Sequence, residues 1–436
     1  MRKTGRRLRQ GAVIAVALAL VALSTPAATA TDSTVTDSTA TDSTATDGTA
    51  GVVPARVHNP WAWQATVGDR PAGRAALVFF TSRTRYLEST GVLVGRDGGY
   101  RLIPLHVAED HGLISPDGRH YLRPSGDLLD LTSGQQRRTI PVGMRPLAWS
   151  SDGQRVLSSR SKDDPVISYG PDNQQLNDPQ KPDDLLVLDP YRGTEQVVEA
   201  GTFAAHAAAA WSPGGDLVAV AGPPDVPAQL AERQRLVVTD PTSDSPQWEV
   251  DLGDRRMLAG PAAWHPDGRR IALLAFDGCA GPHCTPEQVA ERTWRIEFLD
   301  AATGRAFGQP LPVADSTTKI VGWRGGDPVA KQSIAVDGDD GDRQAILAAL
   351  SPGGTREVLV TAPPGSTDLA VPGDLLTRAA FGGPERRPSP FAAPLWFYLA
   401  LAVPTLLAGA LLGRHRRRRR GSAADTGPGP TPQPEA

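Results

Sequence analysis

Apolar residues in this chain fall into short runs separated by Gly, Pro, Asp and Ser. That pattern predicts brief β-strands joined by tight turns. One phrase recurs, in which an aromatic leads a turn and an apolar run follows. The copies are Trp149-Ser150-Ser151-Asp152-Gly153, Trp211-Ser212-Pro213-Gly214-Gly215 and Trp264-His265-Pro266-Asp267-Gly268. Trp323-Arg324-Gly325-Gly326-Asp327 is a degraded fourth copy, and 113–122 repeats the turn without its tryptophan. The Trp-to-Trp steps are 62, 53 and 59 residues. Repetition at such a step predicts stacked or radially arranged units.

A second phrase follows the first each time: an apolar strand, an Asp, then a turn containing Gly or Pro. Its copies lie at 128–134, 185–193, 236–241 and 296–304, with Asp130, Asp189, Asp240 and Asp300 at the strand ends. The two phrases together define a unit of four short antiparallel strands. Such units at this step predict blades of an all-β propeller. The leading segments 65–105 and 110–142 and the units led by Trp149, Trp211, Trp264 and Trp323 make six blades. Residues 361–380 either supply the closing strand or begin a seventh. The only stretch with helical character inside this region is near 286–292.

These phrases resemble the TolB-like, WD40-like propeller family, whose mark is a Trp-Ser-Pro-Asp-Gly turn before a strand. Trp264 to Gly268 is the closest copy. The Trp211 copy departs from it with Gly214 in place of Asp, and the Trp149 copy with Ser151 in place of Pro. The resemblance is clear over 110–360. It implies a propeller used as an interaction module or as an accessory domain of a peptidase. In that reading Trp149, Trp211, Trp264 and Trp323, with Asp152, Gly153, Gly215, Asp267 and Gly268, are structural joints of the ring and not a reactive site.

Charge divides the chain into parts. The net of −3 hides 34 basic against 46 acidic residues over 31–413, a net of −12 there. Such a domain is no basic nucleic-acid surface, and no nucleic-acid partner is expected. Arg2, Lys3, Arg6, Arg7 and Arg9 precede an apolar run and a small-residue cleavage pattern at Ala28-Thr29-Ala30, so 1–30 reads as a signal peptide. Residues 31–55, with their Thr-Asp-Ser repeats, read as a disordered linker. The propeller is expected over 56–380 and a juxtamembrane linker over 381–390. Residues 391–413 are uncharged, which is enough to cross a membrane as a helix. Trp396 and Tyr398 stand at its outer end. Arg414, Arg416 and Arg417 open a basic tail, 414–436, expected on the cytoplasmic side.

Little of the sequence points to chemistry. Cys279 and Cys284 are the only cysteines, and outside the cytoplasm they are expected to form a local disulfide. His106, Glu109, Asp110 and His111, and the aspartates of 160–184, match no metal-site spacing. No Gly-x-Ser-x-Gly elbow, phosphate loop or dinucleotide fingerprint occurs. No catalytic residue, metal or cofactor is assigned. The expected function is therefore binding or scaffolding for a protein or cell-envelope component at the membrane. The long polar loops 160–184 and 222–235 are its candidate surfaces. The alternative is an envelope hydrolase or lyase with a site in the propeller channel, which convergent acidic or histidine side chains there would favour.

Overall fold

A computed structural model of the chain describes residues 52–424 apart from 86–87, 104–111, 141–143, 161–167, 170–174, 177–182, 201–202, 204–207, 223–233, 282, 314–315 and 337–342. The signal peptide, the Thr-Asp-Ser repeat, His106 to His111 and most of the two long loops lie outside the described residues.

Six four-stranded antiparallel sheets are present among the described residues, and they follow one another along the chain as blades II to VI, with blade I completed last. Blade II holds Leu113–Ile114, His120–Leu122, Asp127–Asp130 and Gln136–Arg138. Blade III holds Met144–Trp149, Val156–Arg160, Asp184–Asp189 and Thr194–Val197. Blade IV holds Ala208–Trp211, Val218–Gly222, Gln234–Thr239 and Trp248–Gly253. Blade V holds Arg256–Leu258, Arg270–Asp277, Thr293–Asp300 and Leu311–Val313, and blade VI Ser316–Arg324, Asp327–Ala335, Arg343–Leu350 and Arg356–Thr361.

Blade I takes three strands from one end of the ring and one from the other. Ala75–Arg85, Glu88–Gly95 and Tyr100–Ile103 pair in series, and Ser366–Ala370 adds to the free side of Ala75–Arg85. Residues 361–380 thus close a six-bladed ring, and no seventh blade begins.

The burial pattern explains why the strands read as continuous apolar runs and not as alternating ones. A middle strand is covered on both faces by the neighbouring blades, as parallel strands are when helices cover both faces of a sheet. Val218–Gly222 is buried throughout, and Arg270–Asp277 is buried at every position but its ends. The outermost strands Gln136–Arg138 and Thr194–Val197 are exposed throughout, and Val197 is the one apolar residue in them. Each core cluster accordingly spans adjacent blades. Leu236 and Val238 of blade IV, Ile271 and Leu273 of blade V, and Ile320 and Trp323 of blade VI share one.

The chain ends add a second closure at the rim. Val52–Pro54 pairs in parallel with Ala380–Gly383. Ala55 and Val57 exchange backbone hydrogen bonds with Thr361 at the outer edge of blade VI, and Ala65 and Val67 with Leu102 at the outer edge of blade I. Val53 and Val57 join the core that blades VI and I share. Residues 52–55, expected in the linker, therefore take part in the ring's strand pairing. The stretch 381–390 is likewise no free linker. Tyr100 Oη donates to the Arg386 carbonyl at 2.6 Å, Trp61 Nε1 to that of Pro388 at 3.2 Å and Trp63 Nε1 to that of Pro390 at 2.8 Å. Burial pushes the Tyr100 hydroxyl up to about 12, so it stays a donor under ordinary conditions.

Among the described residues, three helices accompany the strands. α1, Pro286–Ala290, is a single turn with a Thr285/Gln288 capping box. α2, Gly373–Arg378, buries Leu375 and Leu376 just after the closing strand. α3, Leu395–Ala424, belongs to a separate compact unit. It begins four residues later than the apolar run. Pro394 explains the offset: it restricts the preceding residue to extended backbone, and a proline lacks the amide a helix interior needs. The helix then continues through the arginine cluster.

One buried charge sits at the closure. Asp368, on the closing strand, has a side chain only 3% exposed, and Lys331 Nζ of blade VI lies 2.6 Å from its Oδ1. Lys319 Nζ stands 3.4 Å from Oδ2. Burial and the nearby Lys319 lower the Lys331 pKa, and Asp368 opposes that shift. Removing one partner of a buried pair typically costs about 3–5 kcal/mol, whereas an apolar replacement of both is often near neutral. Asp368→Ala should lower the urea unfolding free energy by that amount, and Asp368→Leu with Lys331→Met should recover most of it.

Candidate functional site

The recurring phrases build the contacts between blades. Trp211 is 5% exposed and its Nε1 donates to the Ala148 carbonyl of blade III at 3.3 Å. Trp149 makes the corresponding bond to Leu113 of blade II at 3.4 Å, and Trp323 to Ala262 of blade V at 2.8 Å. Trp264 differs, because its Nε1 turns back to the Gly268 carbonyl of its own turn. The inner strand of blade V bulges between Leu258 and Trp264, with Ala259 and Ala263 both bonded to Ala272, and this displaces the indole.

Each aspartate of the first phrase folds its own turn. Asp152 Oδ1 accepts from Ser150 Oγ at 2.5 Å and from the Gln154 amide at 2.9 Å. Asp267 Oδ1 accepts from the Arg269 amide at 2.8 Å and lies 2.8 Å from His265 Nδ1. Hydrogen bonds of this kind outweigh burial, which alone would raise a carboxyl, and both groups are held below the usual carboxylate range. Gly153, Gly215 and Gly268 adopt φ of 69°, 72° and 73°, where a side chain would be strained. In the Trp211 copy Asp216 takes over the bond to Ser212 Oγ, at 2.7 Å, that the missing aspartate would make. The departure at Gly214 is thus a shift of the acid by two positions.

The turns also reach across blades. The Arg155 guanidinium stacks 4.6 Å from the Trp211 ring and donates to the Gly215 carbonyl at 2.6 Å. Within blade III, Tyr191 Oη donates to the Gly153 carbonyl at 3.1 Å. In the second phrase, burial would raise the Asp130 carboxyl, but Thr132 and Ser133 donate to it through hydroxyls and amides and bring it to about 2.

Cys279 and Cys284 form a disulfide, with Cα atoms 5.9 Å apart, in the loop that carries α1. The Arg292 guanidinium lies over Phe276 at 4.3 Å and donates to the Cys279 carbonyl at 2.8 Å, which seats this loop on blade V. At the opposite end of the same strands, where Arg270 pairs with Asp300, the side chains of Arg270, Phe298, Phe307, Leu311 and Pro328 line a recess between blades V and VI. Among the described residues no group of three His, Cys, Asp or Glu stands close enough to hold a metal. In α3, Trp396 is 62% exposed. Arg414 is exposed as well, and Arg416 and Arg417 lie within the helix.

Sequence reasoning missed Asp368, Lys319 and Lys331. Lys331 could have been noticed, as one charge inside the apolar strand Asp327–Ala335. It also missed the rim strap, whose pairing links residues more than three hundred positions apart.

No protein-family model matches this chain, and no curated protein matches it. Solved structures do. An oligogalacturonate lyase in complex with manganese is 14% identical, with a TM-score of 0.40 over 70% of this chain and 78% of that one. The acylaminoacyl peptidase of Pyrococcus horikoshii is 18% identical, with a TM-score of 0.40 over 68% of this chain and 47% of its own. The β-propeller domain of the Trilobed protease from Pyrococcus furiosus is 12% identical, with a TM-score of 0.31 over 65% and 71%. Such distant likenesses carry nothing about activity, and the propeller stands on the strand pairing described above.

Two outcomes follow from these joints. Trp211→Phe should cost about 1 kcal/mol, the worth of one hydrogen bond, and Trp211→Ala about 3–5 kcal/mol, both read from denaturant midpoints. Asp130 titrates lower folded than unfolded, where it sits near about 3.9. Its contribution is therefore complete above about pH 4 and is lost as pH falls toward 2. Asp130→Asn should flatten that part of the stability–pH curve.

Proposed function

We propose that this chain is a membrane-anchored, extracytoplasmic propeller that recognises a protein or another component of the cell envelope. One observation carries the reading: the stretch Leu395–His415, with a mean hydropathy of 2.0, has none of its most apolar window buried inside the protein. A helix of that length can cross the hydrocarbon layer. The arginines that follow favour a cytoplasmic end, which would put the ring on the far side. The disulfide suits an oxidising compartment.

The recognition half rests on where the acidic side chains go. Asp130, Asp152, Asp189, Asp240, Asp267 and Asp300 bond amides of their own turns, and Asp368 is matched by Lys319 and Lys331. Ring building thus occupies these carboxylates. What remains for function is the surface and the loops inserted between strands, which in folds of this kind carry specificity. The resemblance of the turn phrases to TolB-like propellers supports the same class of role.

The test combines fractionation with crosslinking. The full chain should resist alkaline extraction from membranes, and a chain ending at 394 should be released. Crosslinking in intact membranes should then enrich one specific partner, and deletion of 161–182 should abolish that enrichment. The deletion spares Arg160 and Asp184, which pair at 3.4 Å within blade III. Enrichment of nothing above a helix-only control would sink the recognition reading.

A further inference from the structure

Trp61 and Trp63 have no part in ring closure that needs their rings exposed. They stack on each other with centroids 5.0 Å apart and planes 17° from parallel. They remain 43% and 37% exposed. The other described tryptophans of the ring, at 149, 211, 248, 264, 294 and 323, are buried or half-buried. Two exposed indoles whose N–H groups are already satisfied by carbonyls present a flat apolar face with a polar edge. That is the chemistry of residues at a membrane–water interface.

The chain limits where this face can be. Trp63 bonds the Pro390 carbonyl and Trp61 that of Pro388, while the Ala65 amide bonds the Ala392 carbonyl. The apolar helix begins at Leu395, five residues after Pro390. Five residues span at most about 18 Å when fully extended. Whatever the orientation of the ring, the indoles cannot leave the vicinity of the helix entrance. Phe391, between them and the helix, is 62% exposed.

Charge gives a second, independent indication. Residues 52–68 and 386–394 hold no acid, and the adjoining Glu385 is matched by His58 and Arg387, although 31–413 as a whole carries a net of −12. The same stretches bring Arg56, Arg386 and Arg387, all exposed. An acidic body is repelled by an anionic lipid surface, and Arg386 and Arg387 lie on the segment that leads into the helix, with Glu385 as the one acid beside them.

We infer that Trp61 and Trp63 seat the rim of blades VI and I in the headgroup layer of the membrane, so that the ring is held against the bilayer. This rests on the membrane-anchored reading of α3. The seating contact is between the indole pair and lipid, with Arg386 and Arg387 facing headgroup phosphates.

The experiment uses the full chain in phospholipid nanodiscs. A nitroxide is placed at Ala62→Cys, between the two indoles, or at Asp244→Cys on the opposite blade as a reference. The native cysteines are paired and do not react. Accessibility to a water-soluble nickel reagent and to oxygen is read by power saturation. The label at 62 should show a several-fold lower nickel-to-oxygen ratio than the label at 244. Adding Trp61→Ser and Trp63→Ser should bring the two ratios together, while the thermal transition confirms that the ring is still folded.

Equal ratios in a chain that does incorporate into nanodiscs would overturn the seating and leave anchoring intact. Failure to incorporate would instead overturn the anchored reading on which it rests. A label at 62 whose low ratio survives both Trp replacements would also overturn it. So would protection that appears only when envelope extract is added, since the patch would then belong to a protein.

Discussion

Everything in this fold depends on one late strand finding its place. Ser366–Ala370 has to pair with Ala75–Arg85, a segment nearly three hundred positions earlier, before blade I has its fourth strand. Until then the facing apolar surfaces of blades VI and I, among them Phe79, Leu347, Val360 and Leu369, lack their shared core. Because each blade buries itself against its neighbours and not within itself, an open ring leaves two apolar faces uncovered at the gap. Asp368 makes this pairing selective. A carboxylate with almost no solvent access is tolerable only opposite Lys331 and Lys319, and a slip of one residue would turn it to the other face of the strand. The charge contributes less to net stability than to the choice of register.

The joints between blades show the same economy at smaller scale. A turn of five residues presents a tryptophan whose ring fills the space between sheets and whose N–H reaches the previous blade. Its aspartate meanwhile satisfies the backbone of the turn. The arginine that ends the Trp149 turn then stacks on the next blade's tryptophan. The same few residues therefore close the turn and join the neighbouring blades. This is why the phrase tolerates drift: in the Trp211 copy the acid moves to Asp216 and keeps its partner Ser212.

The ring was legible in the sequence because its unit is local. Strand, turn and spacing all fit within a window of about sixty residues, and the repeat made each copy a check on the others. Even the weak copies, at 113–122 and at Trp323, landed in blades. The features that escaped are those made by distant parts of the chain. The strap of Val52–Pro54 on Ala380–Gly383 has no local signature, and 381–390 looked like a spacer because Pro and Arg there carry no periodicity. The indole pair at 61 and 63 was passed over for a related reason. Aromatic residues before a first strand suggest core, and only the structure shows them outside it. Function was the least legible of all, since the repeated residues that draw the eye are the ones the ring consumes.

The strap also decides how the molecule carries load. A load on the chain after Gly383 meets Ala380–Gly383, whose partner Val52–Pro54 runs parallel to it. Strands loaded lengthwise resist in shear, with their bonds sharing the force, where a hairpin peeled from its end would give one bond at a time. The indole–proline contacts at 388 and 390 stand ahead of that pair and would yield first. The segment 380–390 is thus tied to the ring at two levels, an outer one of side-chain contacts to carbonyls and an inner one of backbone pairs.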